Sequence, residues 1–145
     1  LGHDASGVVA SATALDLVFG YTVGLDLTRR DLQSRAKDKG LPWDTAKGFD
    51  ASAPLAELIP VSEAGHDFTR RLTLDVNGER RQQSSLAEMV WSVADILHEL
   101  SKLYALRAGD LIFMGTPAGV AALRPGARVV ARIEGLVTLE GEITR

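Results

Sequence analysis

The sequence has no cysteine, which excludes disulfide scaffolds, thiolate nucleophiles and cysteine-ligated zinc together. Redox chemistry therefore does not fix a compartment. No apolar run approaches the roughly 20 residues a spanning helix needs, and no signal-type start is visible. Neither sign of charge is in excess: 16 Lys and Arg stand against 19 Asp and Glu, for a net charge of -3, and the basic residues are spread along the chain. Nothing here draws the protein to a phosphate backbone or an anionic bilayer, so neither nucleic acid nor membrane is an expected partner. Also missing are a Gly-x-Ser-x-Gly elbow, a lysine-bearing glycine loop for phosphate and a His-Glu-x-x-His site. The three histidines, His3, His66 and His98, follow no metal-binding spacing.

What is present suits one globular domain: 145 residues, 46% apolar and 24% charged, enough to bury a single core. The chain opens at Leu1, and we expect it to be part of a longer polypeptide. Residues 12–18 read as the end of a helix, and "GYTVGLDL" (20–27) as a buried strand. Thr28 has the profile of an N-cap with Asp31 three residues on, which predicts a helix over 29–38 stopped by Gly40 and Pro42. A long irregular loop, "LPWDTAKGFDASAP", follows; loops of that length in compact domains are often functional. "RLTLDVNGERRQQ" alternates apolar and polar residues around Asn77-Gly78 and predicts a hairpin. Ser84 or Ser85 caps one amphipathic helix reaching Lys102, with Leu86, Met89, Val90, Val93, Ile96, Leu97 and Leu100 on its apolar face. A Gly-Asp turn, a strand over 111–114 and a Gly-Thr-Pro loop come next, then a strand pair, 127–133 and 136–143, pivoting at Glu134-Gly135. Mostly strand with a few helices makes the expected fold class α+β.

Several residues could carry chemistry. Asp26 sits where a strand gives way to a helix, and a carboxylate on a rigid strand end can ligate a hard divalent cation; the same residue type also serves as a turn or cap. Arg30 and Gln33 lie three apart, so both can face the side of Asp26, and Arg30 suits a bidentate carboxylate; as an alternative, both are solvated or Arg30 pairs with Asp31. Lys47 follows a tryptophan-containing loop and is either held near a ligand or simply solvated. Gly115 and Thr116 leave a strand in a turn whose hydroxyl and amides could grip an oxyanion, or form an ordinary turn.

The ordered series "GYTVGLDLTRRDLQ", "GLPWDTAKGFDASAP", "VNGERRQ", "LSKLYALRAGDLIFMGTPAGV" and "PGARVVARIEGL" resembles the fumarylacetoacetate hydrolase family over nearly the whole chain. Within it, "GLDLTRRDLQ" with "PWDTAKGFD" is most similar to the short acylpyruvate hydrolases that act on fumarylpyruvate. The resemblance implies a mixed β-roll or sandwich with a few helices, and a cytoplasmic, homodimeric enzyme of aromatic catabolism that hydrolyses a carbon-carbon bond of a 2-oxo acid. It implies Mg2+ or Mn2+ held by Asp26 and two glutamates of a Glu-x-Glu pair, with a water-activating His and Glu on a lid; we expect those four residues to precede Leu1, so that residues 1–145 alone are inactive. It further implies that Arg30, Gln33 and Lys47 act at the reacting centre. Thr116 with Gly115 would hold the substrate carboxylate, and Arg29, Arg30 or Lys47 the far end of a diacid, unless Arg29 lies on the solvent side of its helix. Other reactions known on this scaffold, oxaloacetate decarboxylation and dienedioate isomerisation or decarboxylation among them, are alternatives, as is a non-catalytic module. For the dimer we expect Leu136, Val137 and Leu139, with the apolar helix face, to offer apolar surface.

Overall fold

The computed structural model describes residues 1–144. It contains strands β1 (Gly20–Tyr21), β2 (Ile59–Pro60), β3 (Arg71–Val76), β4 (Glu79–Ser85), β5 (Arg128–Ile133) and β6 (Val137–Glu142), and helices α1 (Arg30–Asp38), α2 (Asp44–Lys47), α3 (Val61–Ala64) and α4 (Val93–Leu103). This is the expected α+β class, with a two-stranded antiparallel sheet β1-β2 and a four-stranded antiparallel sheet in the order β4-β3-β5-β6.

The four-stranded sheet follows from its pattern. Asn77 and Gly78 both take positive φ, 52° and 81°, the two-residue turn whose twist matches that of the strands it joins. Leu72, Leu74 and Val76 stand opposite Ile133, Ala131 and Val129, and these six line one face. That face meets Val23, Leu25, Leu136, Val137 and Leu139. The opposite face is partly polar: Asp75 receives Arg80 Nε at 2.5 Å and pairs with Arg132 at 3.5 Å, and Arg80, first by its hydrogen bond, holds the Asp75 carboxyl below its usual range. A second core forms where Leu97, 2% exposed, packs with Val93, Ala14 and Leu106. Burying one such leucine is worth about 1.5–3 kcal/mol.

Five expectations need correction. The segment 12–18 is a 3-10 helix, Ser11–Leu17. The first helix is capped by Arg29 rather than Thr28: Gln33 N donates to Arg29 O at 3.0 Å, while the Thr28 hydroxyl turns back to Asp26 O. The single helix over 85–102 is two elements. Ser85 and Glu88 form a capping box on a 3-10 turn, Leu86–Glu88, and Ser92 caps α4 by accepting Asp95 N at 3.1 Å. Two start signals seven residues apart break the helix between them, and Val90, placed on the apolar face by periodicity, is 95% exposed. Residues 111–114 form no strand: Ile112 and Met114 pack on the Leu97 core while Leu111 and Phe113 are exposed, and the segment joins no ladder among the described residues. The surface expected at Leu136, Val137 and Leu139 is also largely spent internally, on the core around Ala131. Exposed apolar groups lie instead at Leu103, Tyr104 and Leu111 as well as Val90.

Candidate active site

Asp26 is delivered by a ribbon rather than by a long strand. Beyond β1, Ala56 N donates to Val23 O, Leu25 N to Pro54 O and Leu27 N to Ser52 O, all at 2.9–3.0 Å, so residues 23–27 run beside 52–56 without a regular ladder. Side chains of an extended segment alternate. Val23 and Leu25 enter the core, which turns Gly24 and Asp26 the other way. There the Phe113 ring stands 3.1 Å from where a Cβ on Gly24 would be. The segment leading to Asp26 and the segment leading to Thr116 are therefore neighbours.

The long loop contributes Lys47. Part of it folds into α2, whose Ala46 is fully buried and whose Ala46 O accepts Arg29 N at 3.0 Å, joining α2 to the start of α1. From this joint Lys47 Nζ donates to Asp26 Oδ2 at 2.6 Å. An ammonium has three hydrogens, so two remain for another acceptor. On α1, Arg30 Nη1 donates to Gln33 Oε1 at 2.8 Å, and Gln33 is buried. Because Arg30 can only donate, the oxygen end of the Gln33 amide faces it and the NH2 end stays available. Arg29 lays its guanidinium 4.5 Å over the Phe49 ring, a cation-π contact that fixes it at the α1-α2 joint. Asp26, Arg29, Arg30, Gln33 and Lys47 thus share one α1-α2 region.

Gly115 and Thr116 belong to a second grouping. They line a cavity of about 510 Å³ between α4 and the sheets, together with Tyr21, Phe68, Leu97 and Phe113, whereas none of the α1-α2 residues lines it. The cavity is chiefly apolar. The charged and hydrogen-bonding groups lie instead in the α1-α2 cluster and at the Thr116 turn. Within the cavity wall, burial pushes the Tyr21 phenol up to about 12, and its hydroxyl shares a 2.7 Å hydrogen bond with His66 Nδ1. His98 is structural: its Nδ1–H donates to Val9 O at 2.6 Å.

Three contacts around these residues have no signal in the sequence. Phe49 beneath Arg29 and His66 on Tyr21 follow no spacing. Gln82, whose Nε2 reaches Thr116 Oγ1 at 3.0 Å, is one of several polar residues on β4 and nothing in its neighbours sets it apart.

Asp26 offers the hard oxygen that Mg2+ or Mn2+ takes, and its position beside the exposed end of Lys47 suits a ligand. It fits as one ligand only, because the described residues contain no group of three His, Asp or Glu able to hold an ion.

The two-sheet α+β framework thus carries a ribbon-borne carboxylate paired with a lysine from a helical turn, and a separate Gly-Thr-Pro loop on the wall of the cavity. The chain belongs to the fumarylacetoacetate hydrolase family, whose model, Fumarylacetoacetate (FAA) hydrolase C-terminal, matches residues 1–144. It is 41% identical over 135 residues to the fumarylpyruvate hydrolase of a Ralstonia species, covering 90% of this chain and 68% of that one. To the mitochondrial oxaloacetate tautomerase FAHD1 of Rattus norvegicus it is 40% identical over 137 residues, covering 94% and 62%. The crystal structure of fumarylpyruvate hydrolase from Pseudomonas aeruginosa in complex with Mn2+ and pyruvate superposes with a TM-score of 0.92 at 42% identity, over 99% of this chain and 62% of that one. The chain therefore spans less than two thirds of the last two.

Proposed function

We propose that the full-length protein is a divalent-metal-dependent hydrolase that cleaves an acylpyruvate, with fumarylpyruvate preferred, to a carboxylic acid and pyruvate. The observation that carries this reading is the 2.6 Å Lys47–Asp26 pair, which sets a candidate metal ligand beside a cation with hydrogens to spare. It is supported by the similarity to fumarylpyruvate hydrolases and by the Mn2+ and pyruvate bound to one of them.

In this reading Asp26 is one metal ligand and the others come from outside residues 1–145. The bound metal supplies Lewis-acid polarisation of a 2-oxo acid. The chain's own residues do the rest. Thr116, with the Gly115 backbone, donates to the pyruvoyl carboxylate. Lys47 turns a free N–H to an oxygen of the acyl end, where negative charge grows as water adds to the distal carbonyl. Gln33, its oxygen occupied by Arg30, presents its NH2 to substrate or water. Arg29, exposed at the start of α1 and steadied on Phe49, is the cation set to answer the far carboxylate of a diacid; because it is solvated, the preference for a diacid comes from the pairing gained and not from a penalty on a neutral acyl group.

A tautomerase acting on oxaloacetate is the second reading, favoured by the 40% identity to FAHD1. The two are separated by incubating the full-length protein with Mg2+ or Mn2+ and fumarylpyruvate, acetylpyruvate or oxaloacetate, following pyruvate by coupled lactate dehydrogenase and the enol absorbance directly. Pyruvate from fumarylpyruvate, faster than from acetylpyruvate, is the expected result; enol-keto exchange of oxaloacetate without carbon-carbon cleavage would establish the tautomerase instead. We also propose a homodimer, supported by the exposed Val90, Leu103, Tyr104 and Leu111; light scattering showing only monomer at micromolar concentration refutes it.

A further inference from the structure

The turn that carries Thr116 lacks a ladder to hold it, since residues 111–122 join no strand among the described residues. Strand β4 supplies the anchorage at two consecutive residues. Gly119, at φ +103°, approaches the Arg81 carbonyl so closely that a Cβ would collide with it. Beside it, Gln82 Nε2 donates to Thr116 Oγ1 at 3.0 Å and to Pro117 O at 2.8 Å.

The polarity of this clamp follows from what each atom can do. Pro117 O is a carbonyl and only accepts, so the amide end facing it must be the NH2. That NH2 has two hydrogens, one for Pro117 O and one for Thr116 Oγ1. The Thr116 oxygen is then an acceptor toward Gln82, and its own hydrogen has to be donated in another direction. Thr116 and Gly115 both line open space. We infer that Gln82 is a positioning residue that fixes the Thr116 hydroxyl as a donor toward an anionic ligand, so that the turn favours an acceptor such as a carboxylate and discriminates against a group that can only donate at the same place. The inference rests on reading Thr116 as the contact to the pyruvoyl carboxylate.

The test uses the full-length protein loaded with Mn2+, with pyruvate as the probe in isothermal titration, and KM and kcat for fumarylpyruvate alongside. Gln82→Glu keeps the size of the side chain but reverses its polarity: the new carboxylate accepts the Thr116 hydrogen and adds a negative charge. It should weaken pyruvate binding at least tenfold at neutral pH and raise KM far more than it lowers kcat, with part of the affinity returning as the pH is lowered toward protonation of that carboxylate. Gln82→Leu, which removes the donor without adding charge, should weaken binding by a smaller factor, about three- to tenfold. Thr116→Val should weaken it at least as much, and adding Gln82→Leu to Thr116→Val should cause little further loss, because Gln82 acts through the hydroxyl. A merely structural Gln82 would instead weaken binding equally in both backgrounds, and that additivity overturns the inference. So does pyruvate affinity within twofold of the parent in both Gln82→Glu and Gln82→Leu while Thr116→Val weakens it, an outcome that leaves the Thr116 reading standing. If Thr116→Val itself binds pyruvate normally, the reading of Thr116 fails and the role of Gln82 fails with it.

Discussion

Replacing Asp26 by Asn separates a structural carboxylate from a metal ligand, because the two roles lead to losses of different size. The Asp26 side chain is 50% exposed and that of Lys47 35%, so their 2.6 Å pair is largely solvated. Exposed pairs of this kind contribute about 0.2–1 kcal/mol. Stability should therefore fall by less than about 1 kcal/mol, a drop in Tm of roughly 2–4 °C for a domain of 150–250 residues. A ligand carries more. Groups that merely hold a ligand in place are worth about 10–100-fold in metal affinity or activity, so loss of a charged ligand itself should cost at least about 100-fold in kcat/KM, or about 2.7 kcal/mol at about 1.36 kcal/mol per tenfold. The assay pairs a thermal melt with Mn2+ titration of the full-length protein and steady-state kinetics. Lys47→Met is the control, since it frees the Asp26 carboxylate from its competing ammonium: Mn2+ affinity should hold or tighten while kcat falls. Two results refute the reasoning. One is an Asp26→Asn protein whose Mn2+ affinity drops less than threefold; the other is equal loss of Mn2+ affinity in both variants.

Leu97→Ala empties the centre of the α4 core, where the leucine is 2% exposed, and should cost about 2–5 kcal/mol in urea unfolding; a loss below about 1 kcal/mol would mean that this core is not closely packed. Gly78→Val puts a β-branched residue at φ 81° and should cost at least about 1–2 kcal/mol, read in the same assay against a neutral change at exposed Glu79. Hydrogen bonding from Arg80, with the charges of Arg80 and Arg132, keeps the Asp75 carboxyl below its ordinary 3.8, so its contribution is present above that pH and is lost as the pH falls through the lower folded value; Asp75→Asn should flatten the acid limb of the stability curve. Burial raises the Tyr21 phenol from 10.0 to about 12, so its contribution is complete below pH 10 and disappears as the pH rises toward 12, and Tyr21→Phe should abolish that alkaline loss in denaturant titrations from pH 8 to 12.

The parts of the fold that could be read in advance are those whose causes are local. Asn77-Gly78 specifies a turn by its own backbone preferences, and alternation on either side of it fixes which residues of β3 face the core. The two serine caps before α4 are equally local: the apolar period of Leu86, Met89 and Val90 continues across the break, but the second start signal at Ser92 and Asp95 overrides it. Residues 111–114 fail for the opposite reason: alternation predicts which side chains turn inward, as Ile112 and Met114 do, but says nothing about whether a partner strand exists. The site is harder still. Lys47 reaches Asp26 across 21 positions through an Ala46–Arg29 hydrogen bond and a single helical turn seated on buried Ala46, and no periodicity encodes a contact of that kind; local sequence marks each residue as a candidate but not that the two meet. Gln82 lies further beyond reach, because its role depends on which atoms it meets rather than on what surrounds it in the chain. A residue whose function is to set the direction of another residue's proton has the sequence signature of any solvated glutamine on an edge strand, and becomes visible only when the carbonyl of Pro117 determines which end of its amide faces the loop.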